Sequence, residues 1–211
     1  MHTIEQFIED LGNENLDKYG FSENLYAGNS RESVIRKHNL STYLENMKFL
    51  KPRFLLLGEA PGYKGCRLTG VPFTSERILA NHSFFKDFDF QFINEKLESE
   101  QSATIVWNLL QDLKNKPLIW NIFPYHPYDG SDYQSNRTPN ENELELGKNY
   151  LAKLLEIFEI DIIAAVGRKP ESKIKDLGIE YKYVRHPANG GKNKFVDGIN
   201  KINTELWSLK T

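Results

Sequence analysis

The chain has one cysteine, Cys66, among 211 residues. A single thiol excludes an internal disulfide framework, and it excludes a four-thiolate cluster or zinc site. That usage fits a reducing compartment. No apolar run is long enough to span a membrane, and the opening Met1-His2-Thr3-Ile4-Glu5 carries an early acid and no hydrophobic leader. A cytoplasmic protein with no membrane contact is therefore expected. Excess charge is also missing: the formal net charge is −2, so bulk electrostatics make no argument for a nucleic-acid partner. Several catalytic signatures are absent, namely a GxSxG elbow, HExxH, CxxC and the zinc-deaminase H-x-E…P-C-x-x-C. Glu-Ala-Pro-Gly-Tyr-Lys follows Gly58, so the GxxxxGK[ST] phosphate loop fails too. There is no internal repeat and no low-complexity tract.

What remains is the composition of one globular domain with a short extension. Aromatic residues make up 12%, and such rings either fill a core or stack on bases. Residues 4–11 place Ile4, Phe7, Ile8 and Leu11 at helical spacing. Residues 13–30, rich in Asn, Gly and Ser, read as a loop, and a second helix is expected over 31–50. Residues 1–50 are thus a helical extension packed on a main domain over 51–211.

In that domain strands and helices alternate. FLLLG at 54–58, PLIWNIF at 117–123 and DIIAAVG at 161–167 are short apolar runs of the kind buried in parallel sheets. YKYVRH at 181–186 is a fourth strand with more polar character. Helices are expected over about 102–114, 140–158, 169–177 and 192–208, the second opened by Asn140 as N-cap with Glu143 three residues on. This order predicts a three-layer α/β/α fold around a four-stranded parallel sheet. Ligands bind such sheets at the carboxyl ends of the strands. The segments there are 59–62, 124–126, 168–169 and 186–189.

Three of these neighbourhoods carry candidate chemistry, each beside an ordinary structural reading. In GEAPGYKGCRLTGVPFTSE, residues 58–76, the glycines Gly58 and Gly62 let backbone approach a ligand and expose N–H donors, or they only make a turn. Phe73 is either core or a stacking platform. In WNIFPYHP, residues 120–127, Asn121 lies inside an apolar strand. Its amide, with one acceptor and two donors, either ties loops together or pairs with a base edge. His126 reads as a loop histidine with no assigned role. In RHPANGGKNKF, residues 185–195, His186 ends a strand, and Lys192 and Lys194 beside a Gly-Gly turn are compatible with phosphate contact but common on any surface.

Taken together, these segments resemble the uracil-DNA glycosylase superfamily. GEAPG is similar to its first motif, HPAN to its second, and TGVPFTSE to the segment supplying a stacking ring. SNRTPNENELELGKNYLAKLLEIFEIDIIAAVG resembles the Asn-Arg-x-Pro, helix, strand segment of the iron–sulfur class. The resemblance spans about residues 53–207 with the motifs in order, and it points to a less-characterised bacterial branch. It implies that Gly58, Glu59, Ala60, Pro61 and Gly62 lie against a flipped base. Phe73 would stack on that base, Asn121 would read its pairing edge, and His186 would donate to its O2 side. Arg185, Asn189, Gly190, Gly191, Lys192 and Lys194 would press into DNA, and Arg168 would touch a phosphate.

The sequence also departs from the family pattern. Ala60 stands where the best-known class has an Asp, leaving Glu59 as the nearest carboxylate. Gly62 stands where strict uracil enzymes carry a tyrosine. The cluster-binding cysteines are missing, so no iron–sulfur cluster is expected, and the reaction needs no metal or redox cofactor. The expected function is a monofunctional, monomeric DNA glycosylase that hydrolyses the bond to uracil or another deaminated base and leaves an abasic site. The alternatives are a glycosylase for a different modified base, a non-catalytic nucleic-acid binder on the same fold, and a small-nucleotide binder in which Asn121 and His186 are structural.

Overall fold

The computed structural model describes residues 2–175 and 177–208. Residue 176, inside the helix expected over 169–177, and residues 209–211, at the end of the expected domain, lie outside the described residues. The sheet forms from the apolar runs. Its strands are β2 (Phe54–Gly58), β3 (Leu118–Asn121), β5 (Ile162–Val166) and β6 (Glu180–Val184), in the order β3-β2-β5-β6 and all parallel. Every residue of β2, β3 and β5 is buried, as required of strands covered on both faces. β6 is the edge strand, and its polar residues Glu180, Tyr181 and Lys182 are at least partly solvated.

The connections place the site. From β2 the chain crosses to β3 on one side, then returns to β5 on the other. That reversal leaves a crevice above the carboxyl end of β2, where ligands bind in open α/β sheets. Register sets Gly58 of β2 opposite Asn121 of β3, so both residues open onto the crevice.

Helices α1 (Ile4–Asn13), α2 (Arg31–Leu50), α5 (Gln101–Leu110), α6 (Glu141–Ile157), α7 (Arg168–Ile174) and α8 (Lys192–Ser208) surround the sheet, with short α3 (Cys66–Thr69) and α4 (Glu76–Asn81) in the long β2–β3 connection. A capping box starts α6, with Asn140 accepting from the Glu143 N–H and the Glu143 carboxylate from the Asn140 N–H. Residues of α1 and α2 belong to the same core as the sheet. The Phe7 ring lies 5.4 Å from Trp120, and the Tyr43 hydroxyl accepts from the Ile119 N–H at 2.8 Å.

Three features differ from the sequence reading. The loop expected over 13–30 contains a two-residue strand, β1 (Ser22–Glu23), antiparallel to β4 (His126–Pro127). The β2–β3 connection holds α3, α4 and a 3-10 turn at Ser83–Phe85. The segment after that turn folds around the buried carboxylate of Glu76, which accepts from the N–H groups of Ile93, Asn94 and Glu98. His126 is fully buried rather than a free loop residue.

Candidate active site

A cavity of about 370 Å³ opens at the carboxyl end of the sheet. Glu59, Ala60, Pro61, Gly62, Phe73, Asn121 and His186 line it. Segments more than a hundred residues apart in sequence therefore meet in one pocket. Gly58 lies beneath it: a Cβ there would stand 2.3 Å from Phe73 Cε2 and 2.5 Å from Asn121 Oδ1. Only glycine leaves room for both side chains.

Phe73 has φ 49°, a left-handed conformation that is rare for a bulky residue and is held only when the surroundings impose it. Here they do. The Trp107 indole N–H donates to the Phe73 carbonyl at 3.0 Å, and the buried Thr74 hydroxyl donates to the Val71 carbonyl at 2.7 Å. The Phe73 ring is largely buried yet borders the cavity, with its centroid 6.4 Å from that of His186. Core packing and a cavity-lining face coexist in one ring.

Asn121 is 3% exposed, its side-chain amide makes no hydrogen bond among the described residues, and it is not one of the fully buried unpaired groups, so it is reached from the cavity. Because Asn121 borders the cavity, its partner is whatever fills that space. The reading of Asn121 as a tie between loops therefore has no counterpart in the geometry.

His186 is half-buried at the end of β6, and the Ala188 N–H donates to its Nδ1 at 3.2 Å. Burial, together with the Arg185 charge, lowers its pKa and favours the neutral ring. With Nδ1 accepting, the neutral ring carries its hydrogen on Nε2. Glu59 is shifted the other way. Burial raises its pKa, opposed by the Thr138 hydroxyl and the Lys169 charge.

The loop between them is tied down by its carbonyls. Gly62 O accepts from Gly65 N at 3.2 Å and from Arg67 N at 3.1 Å, and Tyr63 N donates to Asn136 Oδ1 at 3.0 Å. Among the described residues the N–H groups of Ala60 and Gly62 have no partner. A Cβ at Gly62 would meet only Asn136 Oδ1, at 3.9 Å.

The remaining candidates lie outside the cavity. Arg185, Asn189, Gly190, Lys192 and Lys194 are exposed on the turn after His186 and the first turn of α8, and Gly191 is buried beneath them. Arg185, Lys192 and Lys194 have no acidic partner among the described residues. Arg168 is exposed at the start of α7, pairs with Glu171 at 2.8 Å and lies over the Tyr183 ring at 4.2 Å. A phosphate there would compete with Glu171.

Cys66, Glu100, Ser102, Asn136, Arg137 and Thr138 also line the cavity, and none was singled out as a site residue from the sequence. The signal for three of them was present in SNRTP. Arg137 is turned away from free recognition by a bidentate pair with Glu143, at 2.7 and 2.8 Å. Cys66 is buried and its thiol pKa is pushed up by desolvation, which leaves it unreactive. Among the described residues, no group of three or more His, Cys, Asp or Glu side chains is placed to hold a metal ion. No described helix is long and apolar enough to cross a membrane.

Comparison with known proteins agrees with this architecture. The crystal structure of wild-type Pedobacter heparinus SMUG2 superposes with a TM-score of 0.69 at 16% identity, covering 100% of this chain and 99% of that one. At that identity the likeness concerns the fold. Comparison with curated proteins gives no match. The family model described as "Uracil DNA glycosylase superfamily" matches residues 46–206. With most of its length matched and the sheet, crevice and motif segments in place, the chain belongs to the uracil DNA glycosylase superfamily, whose members are DNA glycosylases.

Proposed function

We propose that this protein is a monofunctional DNA glycosylase that hydrolyses the N-glycosidic bond of uracil or another deaminated base and leaves an abasic site. The observation that carries this reading is the unpartnered Asn121 amide at the floor of a cavity bordered by Phe73 and His186. An amide offers an acceptor and two donors in one plane, which matches the pairing edge of a nucleobase. A base reaches such a cavity only after leaving the duplex stack.

In this reading Phe73 stacks on the base and Asn121 pairs with its edge. The bond between the sugar C1′ and the base nitrogen breaks, and its electron pair leaves with the base. The His186 Nε2–H and the free N–H groups of Ala60 and Gly62 donate to the oxygens where that charge collects. Such aimed donors act strongly in a site that excludes water. Glu59 faces the cationic sugar as a carboxylate and accepts a proton from the water that adds to C1′. Its raised pKa makes it a stronger base than an ordinary carboxylate. Arg185, Lys192 and Lys194 supply phosphate contacts beside the mouth.

One observation favours a wider substrate range. Gly62 borders the cavity without a side chain, and a Cβ there would meet nothing closer than 3.9 Å, so no bulky group at that position restricts the base. The deciding experiment is cleavage of oligonucleotides carrying one uracil, hypoxanthine, xanthine or modified pyrimidine, single- and double-stranded, followed by alkali. Strand breaks at one of these bases are the expected result. Tight DNA binding without cleavage of any of them would move the assignment to a non-catalytic binder, with Ala60 as the physical reason.

A further inference from the structure

His126 sits in β4, outside the cavity, and is completely buried. Both its ring nitrogens face backbone carbonyls: Nδ1 is 2.8 Å from Pro61 O, and Nε2 is 3.1 Å from Tyr133 O. One partner belongs to the loop that borders the cavity. The other belongs to the 128–138 segment that brings Asn136 and Thr138 to it. Two acceptors face a ring that carries one hydrogen when neutral. Burial lowers the ring's pKa and outweighs the two facing carbonyls, which favour the charged ring, while the charges of Arg67 and Glu23 oppose each other nearby. Pro61 O is the nearer of the two acceptors, so a hydrogen on Nδ1 would serve the tighter contact.

A peptide unit is planar, and its C=O and the following N–H point in opposite directions. Whatever holds the Pro61 carbonyl therefore also aims the Gly62 N–H. That N–H is free of protein partners among the described residues, and Gly62 borders the cavity.

We propose that His126 is a positioning residue for the glycosylase reaction: by donating from Nδ1 to Pro61 O it fixes the Pro61–Gly62 peptide and holds the Gly62 N–H toward the bound base. This rests on the glycosylase reading above. The ring touches no substrate and acts only through the backbone.

The two amide replacements separate the two bonds. The Asn amide nitrogen reaches roughly where Nδ1 was, and the Gln amide nitrogen roughly where Nε2 was. Steady-state cleavage of the base that the wild type removes is measured for His126→Asn and His126→Gln, alongside their melting temperatures. His126→Asn is expected to keep kcat within about threefold. His126→Gln is expected to lose at least about tenfold in kcat with KM little changed, since removing an aimed backbone-type donor costs roughly 10²–10³. Equal kcat in both variants, at wild-type level or equally reduced, overturns the inference and leaves the glycosylase reading intact. A wild type that cleaves no base removes both. Nitrogen NMR of the wild-type ring gives a check that depends on no variant: a proton on Nδ1 is expected, and a proton on Nε2 alone overturns the inference.

Discussion

Replacing Gly58 with alanine adds one methyl group beneath the two side chains that matter most. The new Cβ would lie 2.3 Å from Phe73 Cε2, 2.7 Å from Phe73 Cζ and 2.5 Å from Asn121 Oδ1. Carbon atoms settle at about 3.5–4.0 Å, so the ring must retreat by about 1 Å or more. It has little freedom to do so, because its backbone is held at φ 49° and its carbonyl is bonded to Trp107. Gly58 itself is not in the left-handed region, so the cost comes from crowding rather than from its own backbone. Overpacking of this kind costs about 1–3 kcal/mol. At roughly 2–4 °C per kcal/mol for a chain of this size, the melting temperature should fall by about 2–12 °C. The fold should survive while the site shifts. A displacement near 1 Å in positioning groups costs on the order of 10²-fold, so kcat/KM for base release should fall about a hundredfold. Calorimetry and cleavage kinetics on the same preparation check both numbers. A Gly58→Ala protein with unchanged melting temperature and unchanged kcat/KM would refute the placement of Phe73 and Asn121 as mutually fitted base contacts.

Glu59→Gln should stabilise the fold while reducing activity. The folded protein raises the Glu59 pKa, so it binds more protons than the unfolded chain, and stability is lost as pH rises through the folded value. The variant should therefore melt higher than wild type at neutral pH, with the gain vanishing below about pH 4.5, and calorimetry at the two pH values checks it. His186 has the opposite sign. Its lowered folded pKa means that stability should decline on acidification below about 6.5, and His186→Gln should flatten that part of the melting profile. Gly147→Ala should be severely destabilising, because its Cβ would stand 1.7 Å from the Ile122 carbonyl oxygen where α6 packs on the segment after β3; soluble yield and melting temperature report it. Lys192→Ala should weaken DNA binding similarly for all sequences and lower the salt slope by about 1, as read from binding titrations across salt concentrations.

The sheet was legible because buried parallel strands are written as unbroken apolar runs, and three of the four strands here are of that kind. The crevice followed from the order of strands and helices. The β2–β3 connection was not legible. Its order depends on the Glu76 carboxylate binding backbone groups 17 to 22 residues away, which leaves no periodic trace. The β1–β4 pair is two residues long on each side, too short for alternation to register. Phe73 was left open between core and platform because residue type cannot separate them, and the geometry places the ring in the core with an edge on the cavity. His126 read as an idle loop residue because nothing in PYHP announces that both ring nitrogens meet distant carbonyls. Asn136 and Thr138 were visible as part of a motif, but their place at the cavity depends on how a long loop folds back.

The central claim is that the cavity holds a flipped base and breaks its bond to the sugar, with His186 donating to the departing base. Single-turnover cleavage and DNA affinity, measured together on wild type and His186→Ala, test it most directly. The account predicts a cleavage rate lower by roughly 10²–10³-fold, as for loss of an aimed donor, with affinity for the same DNA changed little. A variant that cleaves at the wild-type rate, or a loss of affinity that accounts for the whole loss of rate, would contradict it.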